Sequence, residues 1–205
     1  MKQRHFSMLR EFHLADWFTL ANAFCGTSAI FAAMRYLQDG DLRYLYIGMA
    51  MIPLAFVFDA LDGRIARWRK VSSTLGRELD SLADIISFGV APAALGYACG
   101  LQGGWDWAVL SYFVGCGVSR LARYNVTAEQ LSGDEGKVKY FEGTPIPTSV
   151  VIVALLAWLA WSGRIGADLL FGVWHLGPWQ LHPLVLVFAL SGSLMISKTL
   201  HIPKP

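Results

Sequence analysis

Six apolar stretches dominate this chain of 205 residues. Each is about 20 residues long, the length an α-helix needs to cross roughly 30 Å of hydrocarbon. With 55% hydrophobic and 16% charged residues, the chain is too apolar and too poor in charge for an ordinary soluble domain. We therefore predict an all-α, polytopic membrane protein with six transmembrane helices in one bundle. The predicted spans are residues 15–37, 43–63, 80–101, 105–125, 145–162 and 182–198.

No internal repeat or linker divides the chain, so residues 1–205 are expected to form a single membrane domain. Residues 1–13 mix apolar and charged side chains, which favours a short interfacial helix, with a frayed tail as the alternative. Glycines predict short outer turns near residues 39–41 and 100–104. Two longer irregular segments are expected at 127–144, on the side of the termini, and at 163–181, a Trp-containing anchor or surface loop on the opposite side.

Basic residues fall mostly on one side of this predicted topology. Only Arg35, Arg43 and Arg164 of the 17 lysines and arginines lie opposite the termini. By the positive-inside rule, the side with both termini is cytoplasmic. The three cysteines show no C-x2-C spacing, so neither a disulfide framework nor a zinc site is indicated, and the five histidines are scattered and receive no role.

An acidic motif interrupts this apolar sequence with the pattern D-x2-D-G-x2-A-R-x8-G-x3-D-x3-D. Its residues are Asp59, Asp62, Gly63, Ala66, Arg67, Gly76, Asp80 and Asp84. A carboxylate near hydrocarbon costs roughly 2.5 to 3.5 kcal/mol on insertion scales. Four carboxylates within 26 residues therefore need a compensating partner, and a divalent cation is the most economical one.

Helical spacing places these acids in two pairs. Asp59 and Asp62 are three residues apart, and Asp80 and Asp84 are four apart on the next helix, so each pair shares one helix face. A turn near residues 69–75 would bring the pairs together across an antiparallel interface. Oxygen ligands of this kind suit one or two ions of Mg²⁺ or Mn²⁺. The alternative is that the acids only form ion pairs with the surrounding basic residues, among them Arg64, Arg67, Arg69, Lys70 and Arg77.

The residues between the two acidic pairs suggest a diphosphate ligand. Gly63 and Ala66 let a flat ligand or another backbone approach closely, and Arg67 offers a fixed positive charge to phosphate oxygens. Metal-holding carboxylates, small residues and an arginine are the parts that phosphoryl transfer requires.

This motif resembles, without a departure, the signature of the CDP-alcohol phosphatidyltransferases. The resemblance implies a six-helix membrane fold, usually a homodimer, that transfers a phosphatidyl group from a CDP-linked lipid to an alcohol and releases CMP. It implies that Asp59, Asp62 and Asp80 are metal ligands and that Asp84 is a further ligand and the general base. It also implies CDP contacts at Gly63, Ala66, Arg67 and Gly76.

Three segments are similar to the phosphatidylserine synthase branch of that family: 76–97, which begins within the motif and extends beyond it, 119–126 and 140–148. That similarity implies CDP-diacylglycerol and L-serine as substrates. Candidate acceptor-binding residues are Arg120, Arg123, Asn125 and Glu142. For the two arginines the alternative is membrane anchoring, and for the other two it is helix capping or loop solvation. Asn22 is expected either to contact the nucleotide of CDP or to form an interhelical hydrogen bond.

Two other functions remain open at this stage. Another family acceptor, glycerol 3-phosphate or an inositol phosphate, would favour a larger basic cluster, and a metal-ion transporter would favour acids spread through the bilayer depth. The expected setting is a prokaryotic cytoplasmic membrane, with membrane lipids as surroundings, the active site on the cytoplasmic side and no nucleic-acid partner.

Overall fold

The computed structural model describes residues 13–69, 74–131, 140–197 and 201–203, and these residues are mostly helical. The helices are α1 (Leu14–Asp39), α2 (Leu42–Arg69), α3 (Thr74–Asp84), α4 (Ala91–Ala98), α5 (Gly104–Leu131), α6 (Ser149–Trp161) and α7 (Leu186–Ile196). A π-helical segment, Ile85–Val90, joins α3 to α4. Short 3-10 turns occupy Ile146–Thr148, Gly166–Asp168 and Pro183–Val185.

The predicted all-α class is confirmed, and three helical stretches are long and apolar enough to cross a membrane. These are Leu14–Asp39, Leu42–Ile65 and Leu75–Ala98. Each of the other three predicted spans contains a helix, but the apolar helices Ile146–Trp161 and Pro183–Ile196 fall short of about 20 residues. The full six-span arrangement therefore stays a prediction.

Helices α1 and α2 pack against each other as an antiparallel pair. Gly40 ends α1 in the left-handed region, with φ of 70°, and its N–H donates to the Tyr36 carbonyl oxygen at 2.8 Å. Such a turn favours glycine because a Cβ is unfavourable there. Contacts between Thr19 and Asp62 at one end, and between Ala29 and Gly48 at the other, confirm the antiparallel direction. The predicted turn at residues 39–41 is therefore confirmed.

Helix α1 also approaches the π-helical segment very closely. A Cβ added to Gly26 would lie 2.6 Å from the Ser87 Cα atom, so only a glycine fits at this contact. The Ser87 hydroxyl donates to the Asn22 carbonyl oxygen at 2.8 Å, which ties the two backbones together. The register between α1 and the residues after Asp84 is thereby fixed.

The core is a continuous apolar cluster between the helices. Phe88, Phe113 and Phe188 are among its fully buried side chains, and the rings of Phe113 and Phe188 meet edge to face at 5.3 Å. The three cysteines, Cys25, Cys99 and Cys116, are free and buried, in agreement with the absence of a predicted disulfide framework. Large apolar side chains also cover the outside, as a lipid-facing surface requires.

A β-hairpin, which the sequence analysis did not predict, occupies part of the segment expected to be irregular at 163–181. Strand β2 (Trp174–Leu176) pairs with β3 (Trp179–Leu181). The Trp105 indole N–H donates to the Leu176 carbonyl oxygen at 2.9 Å, and the rings of Trp105 and Trp179 meet at 5.2 Å. The hairpin is thus attached to the first turn of α5.

A buried Asp–His pair fixes the end of this hairpin. Asp106 accepts hydrogen bonds from the backbone N–H groups of Gly103 at 2.7 Å and His182 at 2.9 Å, and its Oδ2 lies 2.5 Å from His182 Nδ1. His182, to which the sequence analysis gave no role, therefore has a structural contact.

The polar segment predicted at 127–144 begins later than expected. Helix α5 continues to Leu131, and β1 (Tyr140–Glu142) pairs with β4 (His201–Pro203) in an antiparallel ladder. Residues 132–139 lie outside the described residues, as do 70–73 of the predicted turn and 1–12 of the predicted interfacial segment.

Candidate active site

Three carboxylates meet where α2 and α3 lie side by side. One oxygen from each of Asp59, Asp62 and Asp80 lies within 4.8 Å of the other two. Asp62 is buried, and Asp59 and Asp80 are partly buried. The convergence of the two acidic segments, predicted from helical spacing, is therefore confirmed for these three residues.

The cluster fits a hard divalent cation. Three acidic side chains close together and shielded from water repel one another unless a positive charge lies between them. The Asp80 Oδ1 atom is buried and accepts no hydrogen bond from the described residues. This carboxylate oxygen is therefore available to coordinate a metal ion, and Mg²⁺ and Mn²⁺ prefer such oxygen ligands.

The fourth acid, Asp84, lies outside the group of three. It is buried at the end of α3, where its Oδ1 accepts a hydrogen bond from the Asn22 amide of α1 at 3.2 Å. Of the two alternatives for Asn22, the interhelical hydrogen bond is thus present in the structure. Because the π-helical segment begins directly after Asp84, this carboxylate sits at a change in helix geometry, a position often associated with functional sites.

A threonine of α1 contacts the cluster itself. The Thr19 hydroxyl donates to Asp62 Oδ2 at 2.7 Å, and Thr19 is buried. The sequence analysis did not single out this residue. Its signal was present, because Thr19 and Asn22 are three residues apart and therefore share one face of α1.

The residues predicted to contact CDP are described only in part. A Cβ built on Gly63 meets no heavy atom within 4 Å, so the helix surface beside Asp62 is open to a ligand. Gly76 lies in α3 near Asp80. The side chains of Ala66 and Arg67 are outside the described part of the chain, although their backbone belongs to α2.

The predicted acceptor residues occupy different environments. Arg120 is partly buried, and its Nε atom has no hydrogen-bond partner among the described residues, whereas Arg123 is exposed. Asn125 connects α5 to α3, with its Nδ2 atom 3.0 Å from Ser81 Oγ and 3.3 Å from each oxygen of Glu78. The sequence analysis missed this contact. The side chain of Glu142 lies outside the part of the chain that the structure describes.

Comparison with known proteins agrees with this site. The family model for the CDP-alcohol phosphatidyltransferases matches residues 12–191, a range that contains the whole acidic motif. The chain belongs to this family. Three of the four acids in that motif form the observed cluster.

Individual relatives extend the likeness beyond the motif. The CDP-diacylglycerol–serine O-phosphatidyltransferase of Saccharomyces cerevisiae is 47% identical over 99% of this chain and 75% of the yeast protein. The protein of the same name from Mycobacterium tuberculosis is 37% identical over 64% of this chain and 46% of its own length. The archaetidylserine synthase of Methanothermobacter thermautotrophicus is 36% identical over 69% of this chain and 56% of its own length. The chain thus spans about half the length of these last two relatives.

Proposed function

We propose that this phosphatidyltransferase moves a phosphatidyl group from CDP-diacylglycerol to the hydroxyl of L-serine, forming phosphatidylserine and CMP. The observation that carries the proposal is the cluster of Asp59, Asp62 and Asp80, formed by a complete family signature. The choice of serine as the acceptor is supported by the CDP-diacylglycerol–serine O-phosphatidyltransferase of yeast, whose match covers 99% of this chain.

In this proposal, Asp59, Asp62 and Asp80 hold one or two divalent ions, Mg²⁺ or Mn²⁺, with Asp84 as a further ligand. The ion, when bound, supplies positive charge to the diphosphate oxygens and makes the phosphorus more electrophilic. Gly63, Ala66 and Gly76 leave room for the nucleotide and diphosphate of CDP, and Arg67 binds a phosphate oxygen. The open surface beside Gly63 supports this arrangement.

The chemical step assigned to the chain itself is proton removal by Asp84. As the serine hydroxyl oxygen forms a bond to the lipid-side phosphorus, Asp84 takes the hydroxyl proton and the bond to the CMP oxygen breaks. The Asp84 Oδ1 atom accepts from Asn22, so Oδ2 is the atom proposed to take the proton. The Asn22 Oδ1 atom has no partner among the described residues and is proposed to face the nucleotide.

Serine binding is assigned to the region between α3 and α5. Arg120 and Arg123 are proposed to bind the serine carboxylate, because a guanidinium matches a carboxylate geometrically. Asn125 and Glu142 are proposed to contact the serine ammonium or hydroxyl. The buried Nε atom of Arg120 supports a role in binding an anion.

The membrane arrangement belongs to the same proposal. It consists of a single domain with six spans, assembled as a homodimer, with the site and both termini on the cytoplasmic side. The asymmetric distribution of lysines and arginines supports this orientation.

The test incubates purified protein with CDP-diacylglycerol, Mn²⁺ or Mg²⁺, and serine, glycerol 3-phosphate or an inositol phosphate in parallel. CMP release and the lipid product are measured, and the Asp80→Asn variant serves as the inactive control. Of the three acceptors, only serine is expected to give CMP release. Consumption of another acceptor while serine is ignored would contradict the serine assignment, and absence of CMP release with every acceptor would contradict the proposed reaction.

A further inference from the structure

One face of α1 carries a stripe of buried polar and small residues. Asp16, Thr19, Asn22 and Gly26 follow one another at intervals of three or four residues, and all four are buried. A stripe with this spacing faces one direction on a helix. Here it faces both helices that carry the acidic motif, because Thr19 contacts α2 and Asn22 contacts α3.

Thr19 fixes one oxygen of the Asp62 carboxylate. Its hydroxyl donates to Asp62 Oδ2 at 2.7 Å, a short bond that selects one orientation of the carboxylate plane. The same contact therefore also fixes the direction in which the remaining oxygen, Oδ1, points. Outer hydrogen bonds of this type orient metal-binding side chains, and their loss typically weakens metal binding 10- to 100-fold.

Asn22 acts on the other acidic helix. Its Nδ2 atom donates to Asp84 Oδ1 at 3.2 Å, and Asn22 is fully buried. Its backbone is held in turn, because the Ser87 hydroxyl donates to the Asn22 carbonyl oxygen and Gly26 permits close contact with Ser87. The position of this amide is therefore set by the packing of α1 against the π-helical segment.

We propose that α1 positions the acids of both neighbouring helices, with Thr19 orienting Asp62 and Asn22 orienting Asp84. The inference rests on the proposed function and adds to it a separate role for each of these two residues. Asp62 belongs to the three-acid cluster, whereas Asp84 does not. Loss of the Thr19 contact should therefore mainly weaken metal binding. Loss of the Asn22 contact should mainly slow turnover, because Asp84 is proposed as the general base and, outside the three-acid cluster, as a further ligand.

The test for Thr19 uses three variants of the full-length protein. Thr19→Val removes the hydroxyl and keeps the side-chain shape, Thr19→Ser keeps the hydroxyl, and Thr27→Val is the matched control. Thr27 lies on the same helix, but its hydroxyl donates to the Ala23 carbonyl oxygen of α1 and not to an acid. Mn²⁺ binding without substrates is measured by electron paramagnetic resonance, together with the Mn²⁺ dependence of CMP release.

We expect the Thr19→Val variant to bind Mn²⁺ about 10-fold more weakly than the parent. Thr19→Ser and Thr27→Val should stay within about twofold of the parent. Equal Mn²⁺ affinity in Thr19→Val and Thr27→Val would overturn the role of Thr19. Should Thr19→Val not yield folded protein, Thr19→Ala removes the same hydroxyl with a smaller side chain and is held to the same expectation.

The test for Asn22 compares the Asn22→Leu variant with the parent at saturating Mn²⁺. The kcat should fall by about 10-fold or more, while the Mn²⁺ dissociation constant should rise less than it does in Thr19→Val. A raised KM for CDP-diacylglycerol with unchanged kcat would assign Asn22 to nucleotide binding alone and overturn its positioning role.

These outcomes separate the inference from the proposed function. If the parent protein binds Mn²⁺ and releases CMP with serine while the variants behave like the parent, only the positioning inference fails. If the parent neither binds Mn²⁺ nor releases CMP, the proposed function fails, and the inference fails with it.

Discussion

Replacing Gly26 with alanine tests how closely α1 must approach the π-helical segment. The added Cβ would lie 2.6 Å from the Ser87 Cα atom, whereas carbon atoms pack best at about 3.5–4.0 Å. The two backbones must therefore separate by about 1 Å. Such a shift lengthens two hydrogen bonds, from Ser87 to the Asn22 carbonyl oxygen at 2.8 Å and from Asn22 to Asp84 at 3.2 Å, beyond a useful range.

The free energy of unfolding should fall by a few kcal/mol. Overpacking costs about 1–3 kcal/mol and the weakened hydrogen bonds cost about 1–3 kcal/mol. The better helix propensity of alanine offsets about 1 kcal/mol. The net loss is about 1–5 kcal/mol with a central value of about 3 kcal/mol, and about 3 kcal/mol in a chain of this size corresponds to a Tm lower by about 6–12 °C.

Thermal unfolding in detergent, followed by tryptophan fluorescence, measures this loss, and CMP release reports the effect on the site. Gly115→Ala is the matched control, because a Cβ at Gly115 meets no heavy atom within 4 Å. The control should melt at or slightly above the parent Tm. If Gly26→Ala melts with the control and keeps full activity, the close contact between α1 and Ser87 does not support the site as argued.

Three further predictions concern the site and the opposite end of α5. Removing divalent ions with EDTA should abolish CMP release, and Mg²⁺ or Mn²⁺ should restore it; turnover that persists in EDTA would contradict the metal role. The Asp84→Asn variant should fold normally and lose at least about 100-fold in kcat, whereas turnover within a few-fold of the parent would exclude Asp84 as the general base. His182→Ala should lower the Tm by several degrees, because it leaves a buried oxygen of Asp106 with fewer partners, at a cost of about 1–3 kcal/mol. Turnover should stay near the parent value, because Asp106 lies about 28 Å along α5 from Asn125; a large loss of turnover without a change in Tm would contradict this structural role.

The helical parts of the fold and the acid cluster followed from the sequence because both depend on short-range spacing. Apolar stretches of about 20 residues predicted helices at the right positions. Intervals of three and four residues placed Asp59, Asp62 and Asp80 on helix faces that do meet. Gly40 marked a turn because its backbone conformation favours glycine.

Features that depend on contacts between distant segments were not predicted. The hairpin of β2 and β3 is held partly by Trp105 and Asp106, more than 65 residues earlier in the chain. The bond between Thr19 and Asp62 joins residues 43 positions apart. The π-helical segment after Asp84 has no periodic signal in the sequence. Its close contact with Gly26 depends on how the helices pack, which the spacing of residues along one helix does not determine.

The burial of all three cysteines has a practical consequence for measuring the orientation in the membrane. Cys25, Cys99 and Cys116 lie in the interior, so a membrane-impermeant maleimide should react slowly with the parent protein. A single new cysteine then provides the signal without prior removal of the native ones. Gln102, exposed in the turn before α5, and Thr127, exposed near its other end, are suitable positions. In sealed vesicles of known orientation, labelling of one position but not the other would report which end of α5 faces the cytoplasm.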